Sequence, residues 1–207
     1  VSTANPARQQ ERSRATRAKL LTATLDCLVE LGWSGTTTTV VANRAGVSRG
    51  AQLHHYPTRA ALVSAAVTHL SHRRAAELRA EAAALPSGAH RVDAVVDLLA
   101  AAFTGPLFTA ALELWVAART DGELRAALLP LEQRIGREMY RLTVDLLGVD
   151  ERVPGVRERV QVTLDLLRGL GVANLLSDDA TRRENLLTFW KGQLALLIND
   201  TSGARTA

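Results

Sequence analysis

Within seven residues the chain places Arg49, Gln52, His54 and His55. A guanidinium pairs with the O6 and N7 of guanine or with a phosphate, and a primary amide pairs with adenine. A neutral imidazole offers one donor and one acceptor. Ser48 stands just ahead of them, and Gly50, lacking a side chain, lets the backbone come close to a partner. These groups recognise; they do not make or break bonds. Elsewhere the signals for catalysis are thin. His69 and His72 sit at i, i+3 and could share a metal, but no nearby carboxylate or cysteine completes a ligand set, and His90 stands apart. There is no P-loop, no GxGxxG and no GxSxG. No metal, no cofactor and no catalytic residue is expected, and the chain does not read as an enzyme.

Such a group needs a rigid holder. The pattern predicts a short helix over 38–45, a break at Gly46, and a second short helix over 49–55 capped by Ser48. Gly46 admits a left-handed turn. Ala42, Ala45 and Val47 are small enough to let the two helices cross closely. This is the plan of a helix-turn-helix, whose second helix presents polar groups near its start to the major groove. Two short helices in an ordinary bundle, with Gly46 as a plain C-cap, share the spacing.

Charge separates the two readings. Residues 1–60 carry eight basic and three acidic side chains, a net of +5, while the remainder of the chain nets −1 within a total of +4. A basic excess confined to one end suggests a polyanion partner for that end. Arg8, Arg12, Arg14 and Arg17 are either an arm that tracks phosphates or the solvated face of a first helix.

The wider pattern is helical throughout. Aromatics make up only 4%, and Ala, Leu and Arg dominate. A first helix spans 9–31, with Ala18, Leu21, Leu25, Leu28 and Val29 as its apolar stripe and Leu20, Cys27 and Leu31 widening it. Gly32 ends it. A long helix follows Thr58 to about residue 85 with the stripe Leu62, Val63, Ala66, Val67 and Leu70, and Pro86-Ser87-Gly88 stops it. Five more are placed near 89–103, 106–119, 121–148, 155–177 and 180–199, with Ser177-Asp178-Asp179 as the last separator. The sum is an all-α chain of about nine helices. The single cysteine, Cys27, excludes an internal disulfide and fits a reducing compartment. No apolar run reaches membrane-spanning length, and the N-terminal stretch lacks the apolar segment of a secretory signal. A soluble, cytoplasmic protein with no membrane partner is expected.

The stretch TTTTVVANRAGVSRGAQLHHYPTRAALV, preceded by LVELGWSGT, resembles the N-terminal domain of the TetR family of transcriptional regulators. The likeness covers about residues 14–67 and holds in order: Gly32 before an aromatic, Thr36, Val41-Ala42, Ala45 through Gly50, His54, Tyr56-Pro57, Ala61-Leu62. It implies that Thr36 and Thr37 face phosphate and that Thr39 and Arg44 lie on the outer side of the second helix. It further implies that Ser48, Arg49, Gly50, Gln52, His54 and His55 form the reading face. Tyr56 closes the small core or touches the DNA backbone, and Arg59 stands where the family usually has a phosphate-binding lysine. There are departures from the family. Ala51-Gln52-Leu53 replaces a common Thr-Leu-Tyr, so either the helix is slightly rotated or the base contacts differ. Val40 replaces a common acidic residue.

The resemblance also implies a helix-turn-helix domain over 9–58, a ligand-sensing and dimerisation domain over 59–207, and a homodimer on a palindromic double-stranded DNA operator. Phe108, Leu112, Glu113, Trp115, Met139, Tyr140 and Asn174 fit the lining of a pocket for a largely apolar small-molecule effector, and fit plain core packing equally well. The last two helices are apolar over much of their circumference. Leu164, Leu167, Gly171, Leu175, Leu187, Trp190, Leu194 and Leu197 are expected at a two-fold interface, the alternative being a monomer that buries these helices internally. The function so reached is a regulator, a repressor released by ligand. The competing reading is an all-α binding protein or enzyme whose N-terminal helices are only scaffold.

Overall fold

The computed structural model describes residues 6–175 and 179–203, and every regular element among them is helical. Helix α1 runs Pro6–Gly35, α2 Thr38–Arg44, α3 Arg49–His55, α4 Arg59–Ala83 and α5 Arg91–Ala102. Then come α6 Pro106–Ala118, α7 Gly122–Leu147, α8 Val156–Ala173 and α9 Ala180–Gly203, with one 3-10 turn at Gly88–His90 ahead of α5. The expected all-α architecture is therefore the observed one. Ser177 and Asp178 of the expected last separator lie outside the described residues. No single described helix is both long and apolar enough to cross a membrane.

Packing divides the chain into two compact units, one up to Arg73 plus Pro106–Gln133, the other Arg74–Gly105 plus Arg134 onward. The division passes through α4 and α7 and does not follow the 58/59 boundary suggested by sequence. In the first unit α1 packs on both α2 and α6. Leu20, Leu21, Ala23, Cys27, Val41, Leu62 and Ala66 form a buried cluster, with Val40, Ala45, Val47, Tyr56 and Ala65 packed against it. Each fully buried aliphatic side chain contributes about 1.5–3 kcal/mol. The buried stripe of α1 is Leu20, Leu21, Ala23, Thr24, Cys27 and Leu28. Ala18, Val29 and Leu31 are exposed, which corrects the sequence stripe. Thr24 explains the error: its hydroxyl donates to the Leu20 carbonyl at 2.7 Å, so a polar residue sits satisfied at the centre of the apolar face. Burial pushes the Cys27 thiol pKa up, as expected of a packed sulfur. The α4 stripe from Leu62 to Leu70 is buried as predicted.

In the second unit α5 packs on α8 and α9. Lys191 on α9 donates to Asp97 on α5 at 2.6 Å, and Trp190 Nε1 donates to Thr163 Oγ1 at 3.0 Å. Leu164, Leu167, Gly171, Leu187 and Leu194 are buried inside this unit. They are its core, which corrects their expected place on a surface between subunits. Trp190 is half-buried and Leu175 exposed, and the Leu197 side chain lies outside the described ones. Among the described residues, the large exposed apolar side chains of these helices are Val162 and Val172 on α8 and Phe189 and Leu196 on α9, the last two 65% and 63% exposed.

Candidate nucleic-acid interface

The turn between α2 and α3 is built from local hydrogen bonds. Thr37 caps α2, its Oγ1 accepting the Val40 N–H at 3.2 Å. Gly46 has φ 63, and the Val47 N–H closes the turn onto the Ala42 carbonyl at 2.9 Å. Nothing lies within 4 Å of a Cβ built at Gly46, so glycine is needed there for its left-handed backbone and not for space. Ser48 caps α3 by accepting the Ala51 N–H at 3.2 Å. The helix ends where the Tyr56 N–H meets the Gln52 carbonyl at 2.8 Å.

This frame decides which side chains α3 presents. Arg49, Gly50, Leu53 and His54 are exposed and share one face. No ion pair engages Arg49 among the described residues. Gln52 is 0% exposed, and its Nε2 donates to the Tyr56 carbonyl at 2.7 Å. It is therefore a core residue, which corrects its expected role at a base edge. At Ala51-Gln52-Leu53 the amide takes the inward position and closes the end of α3. Leu53 takes the outward one, 41% exposed, and shares the exposed face with Arg49, Gly50 and His54 although sequence reasoning left it out. Its place at i+4 from Arg49 and i+3 from Gly50 was the available signal. A leucine there offers apolar contact, the kind that meets a thymine methyl.

Arg17 on α1 reaches His55, its Nε donating toward Nδ1 at 3.5 Å. Burial, then the Arg17 and His54 charges, hold the His55 imidazole below its ordinary pKa. Its ring lies edge-on to His54 at 5.4 Å and tilted to Tyr56 at 6.4 Å. Tyr56 packs against the buried cluster, and burial raises its phenol pKa. Of its two possible roles, closing the core is the one seen.

Several expected DNA contacts are otherwise engaged. Thr36 is buried and its hydroxyl donates to the Gly32 carbonyl at 2.7 Å, a correction to its expected exposure. Arg44 donates to the Glu30 carboxylate and holds that carboxyl below its usual pKa. The Arg59 guanidinium lies over the Trp33 ring, 3.5 Å from its centre. Thr37 and Thr39 are exposed on α2. Arg8, Arg12, Arg14 and Arg17 are exposed on the first turns of α1, on a helix and not on an extended arm. No group of three metal-ligating side chains occurs among the described residues.

The effector candidates are spread out. Phe108 is buried edge-on to Trp115 at 6.3 Å, and Leu112 is half-buried. Trp115 lines a cleft of about 360 Å3 with Arg119, Arg125, Leu128 and Leu129. Glu113 lines another of about 500 Å3 with Gly32, Trp33, Thr120 and Asp121. Met139 and Tyr140 are half-buried on the later part of α7, and Asn174 is exposed just after α8. Neither of these clefts gathers more than one of the seven.

The profile of the family described as bacterial regulatory proteins, tetR family, matches residues 20–66. The HTH-type transcriptional regulator CymR of Pseudomonas putida is 32% identical over 86% of this chain and 88% of its own. The HTH-type transcriptional regulator BetI of Serratia proteamaculans is 33% identical over 60% of this chain and 63% of its own. In fold, the crystal structure of Escherichia coli NemR in its reduced form superposes with a TM-score of 0.68 at 18% identity, covering 86% of this chain and 96% of that one.

Proposed function

The chain belongs to the TetR family of transcriptional regulators, and from that premise we propose that it is a homodimeric repressor released from a near-palindromic operator by a small molecule. The observation that carries this reading is the exposed face of α3, where Arg49, Gly50, Leu53 and His54 stand together beside an N-terminal helix rich in exposed arginines. Arg49 reads guanine or anchors on phosphate, Leu53 meets a thymine methyl and His54 gives a further hydrogen bond. Thr37, Thr39 and the arginines of α1 track the backbone.

Dimerisation is assigned to the outward side of α8 and α9. Val162, Gly169 and Val172 follow one another at helical spacing on α8, and Phe189, Gly192 and Leu196 do so on α9, all exposed. Apolar residues flanking a glycine on each helix suit close helix-on-helix packing across a two-fold axis. Paired copies then set two α3 helices roughly 34–36 Å apart, one turn of the duplex. An effector that prefers a different spacing loosens the grip, and a full reversal of occupancy takes about 5.5 kcal/mol of preference. The effector is largely apolar, with Trp115, Leu128 and Leu129 the favoured contacts. The site of action is the cytoplasm, and no catalytic step is involved.

The test is a salt series on duplex DNA with wild type and Arg49→Ala. Affinity should fall linearly in log–log form with salt, and the variant should bind about 5- to 100-fold more weakly. A wild-type affinity indifferent to salt, or a variant equal to wild type, would refute the proposal.

A further inference from the structure

Arg59 opens α4, next to the Thr58 hydroxyl that caps that helix. Its guanidinium nevertheless lies on Trp33, close enough for the ring face to attract the cation. Nε and Nη2 are buried there and have no hydrogen-bond partner. Unpaired donors of a cation are costly to bury, so this position is only partly comfortable. Trp33 lines the cleft of about 500 Å3 that also includes Glu113 and Asp121. Asp121 caps α7, its Oδ1 accepting the Leu124 N–H at 2.9 Å, and it is the acidic group whose charge acts on Arg59. Burial lowers the guanidinium pKa, and the Asp121 carboxylate opposes that.

We propose that Trp33 and Asp121 are positioning residues that park Arg59 away from DNA, so that operator binding draws its guanidinium off the indole and onto a phosphate. This rests on the reading that the start of α4 meets the DNA backbone. The two positions are balanced by opposite terms. On Trp33 the cation gains the ring face and the nearby carboxylate but leaves two N–H groups unpaired. On a phosphate those donors are filled by charge-assisted hydrogen bonds. Asp121 belongs to the α6–α7 connection. Its distance from Arg59 is therefore a route by which a change in that connection alters DNA affinity without any change in α3.

Asp121→Asn isolates the charge, because asparagine caps a helix as well as aspartate does. Binding to a random-sequence duplex at low salt should tighten by about two- to fivefold in this variant. The same exchange made on top of Arg59→Ala should change nothing, and Arg59→Ala alone should bind more weakly with a salt slope shallower by about one per protomer. Trp33 gives an independent readout. Adding duplex should alter the part of the emission that Trp33→Phe removes, and Arg59→Ala should abolish that change. An Asp121→Asn variant that binds no more tightly, or that tightens equally when Arg59 is absent, overturns the proposal while leaving the regulator reading intact. A wild-type protein that ignores the duplex altogether sinks that reading first.

Discussion

Gln52 separates a base reader from a core residue in one substitution. Its amide is wholly buried, with Nε2 on the Tyr56 carbonyl and Oε1 without a partner. In Gln52→Leu the unpaired acceptor disappears, a gain of about 1–3 kcal/mol. The lost hydrogen bond costs about 0.5–1.5 kcal/mol, and leucine adds apolar burial of similar volume. The net is a stabilisation on the order of 1 kcal/mol, a rise in Tm of about 2–4 °C for a chain of this size. DNA affinity should stay within about twofold, since the side chain is not presented to a base. Thermal unfolding followed by circular dichroism, with duplex titration by fluorescence anisotropy, measures both. A loss of affinity of about tenfold or more, the worth of a bidentate adenine contact, would show that the amide turns outward on DNA and would refute the assignment. A lower Tm would show that its single hydrogen bond outweighs the unpaired oxygen.

Four further outcomes follow from the geometry. Gly46→Ala forces a side chain into φ 63 and should cost about 1–2 kcal/mol, read as a lower urea midpoint with unchanged slope. His55 has a folded pKa below its unfolded value, so the unfolded chain binds the extra proton first. Stability should therefore be full above the unfolded value near 6.5 and fall as pH drops from there to the folded pKa, and His55→Gln should flatten that dependence in urea titrations. Leu196→Glu, on the exposed side of α9, should convert dimer to folded monomer in sedimentation velocity. Leu164→Ala, in the core of the second unit, should instead cost about 2–5 kcal/mol of stability.

Helix positions were legible because Gly46, Ser48, Thr58 and Pro86-Ser87-Gly88 punctuate the chain with residues whose backbone preferences are local. Which side of a helix faces inward was less so. Thr24 and Gln52 are polar yet occupy core positions, because a back-bonded hydroxyl and a capped amide satisfy themselves within one turn. An apolar template passes over both. Leu164, Leu167, Leu187 and Leu194 were expected at a subunit interface and are instead covered within the chain, because periodicity states only that a face is covered, not by what. The stacking of Arg59 on Trp33 joins residues 26 positions apart and had no sequence signal beyond a cation at the start of α4 and an aromatic after Gly32.

The central claim is that two copies of this chain present α3 to successive major grooves. Duplexes recovered by the purified protein from a random pool report symmetry and spacing together. The account predicts an inverted repeat whose half-site centres lie about 10–10.5 base pairs, or a multiple of that, apart. Recovery of sequences without dyad symmetry, or of no enriched sequence at all, would contradict it.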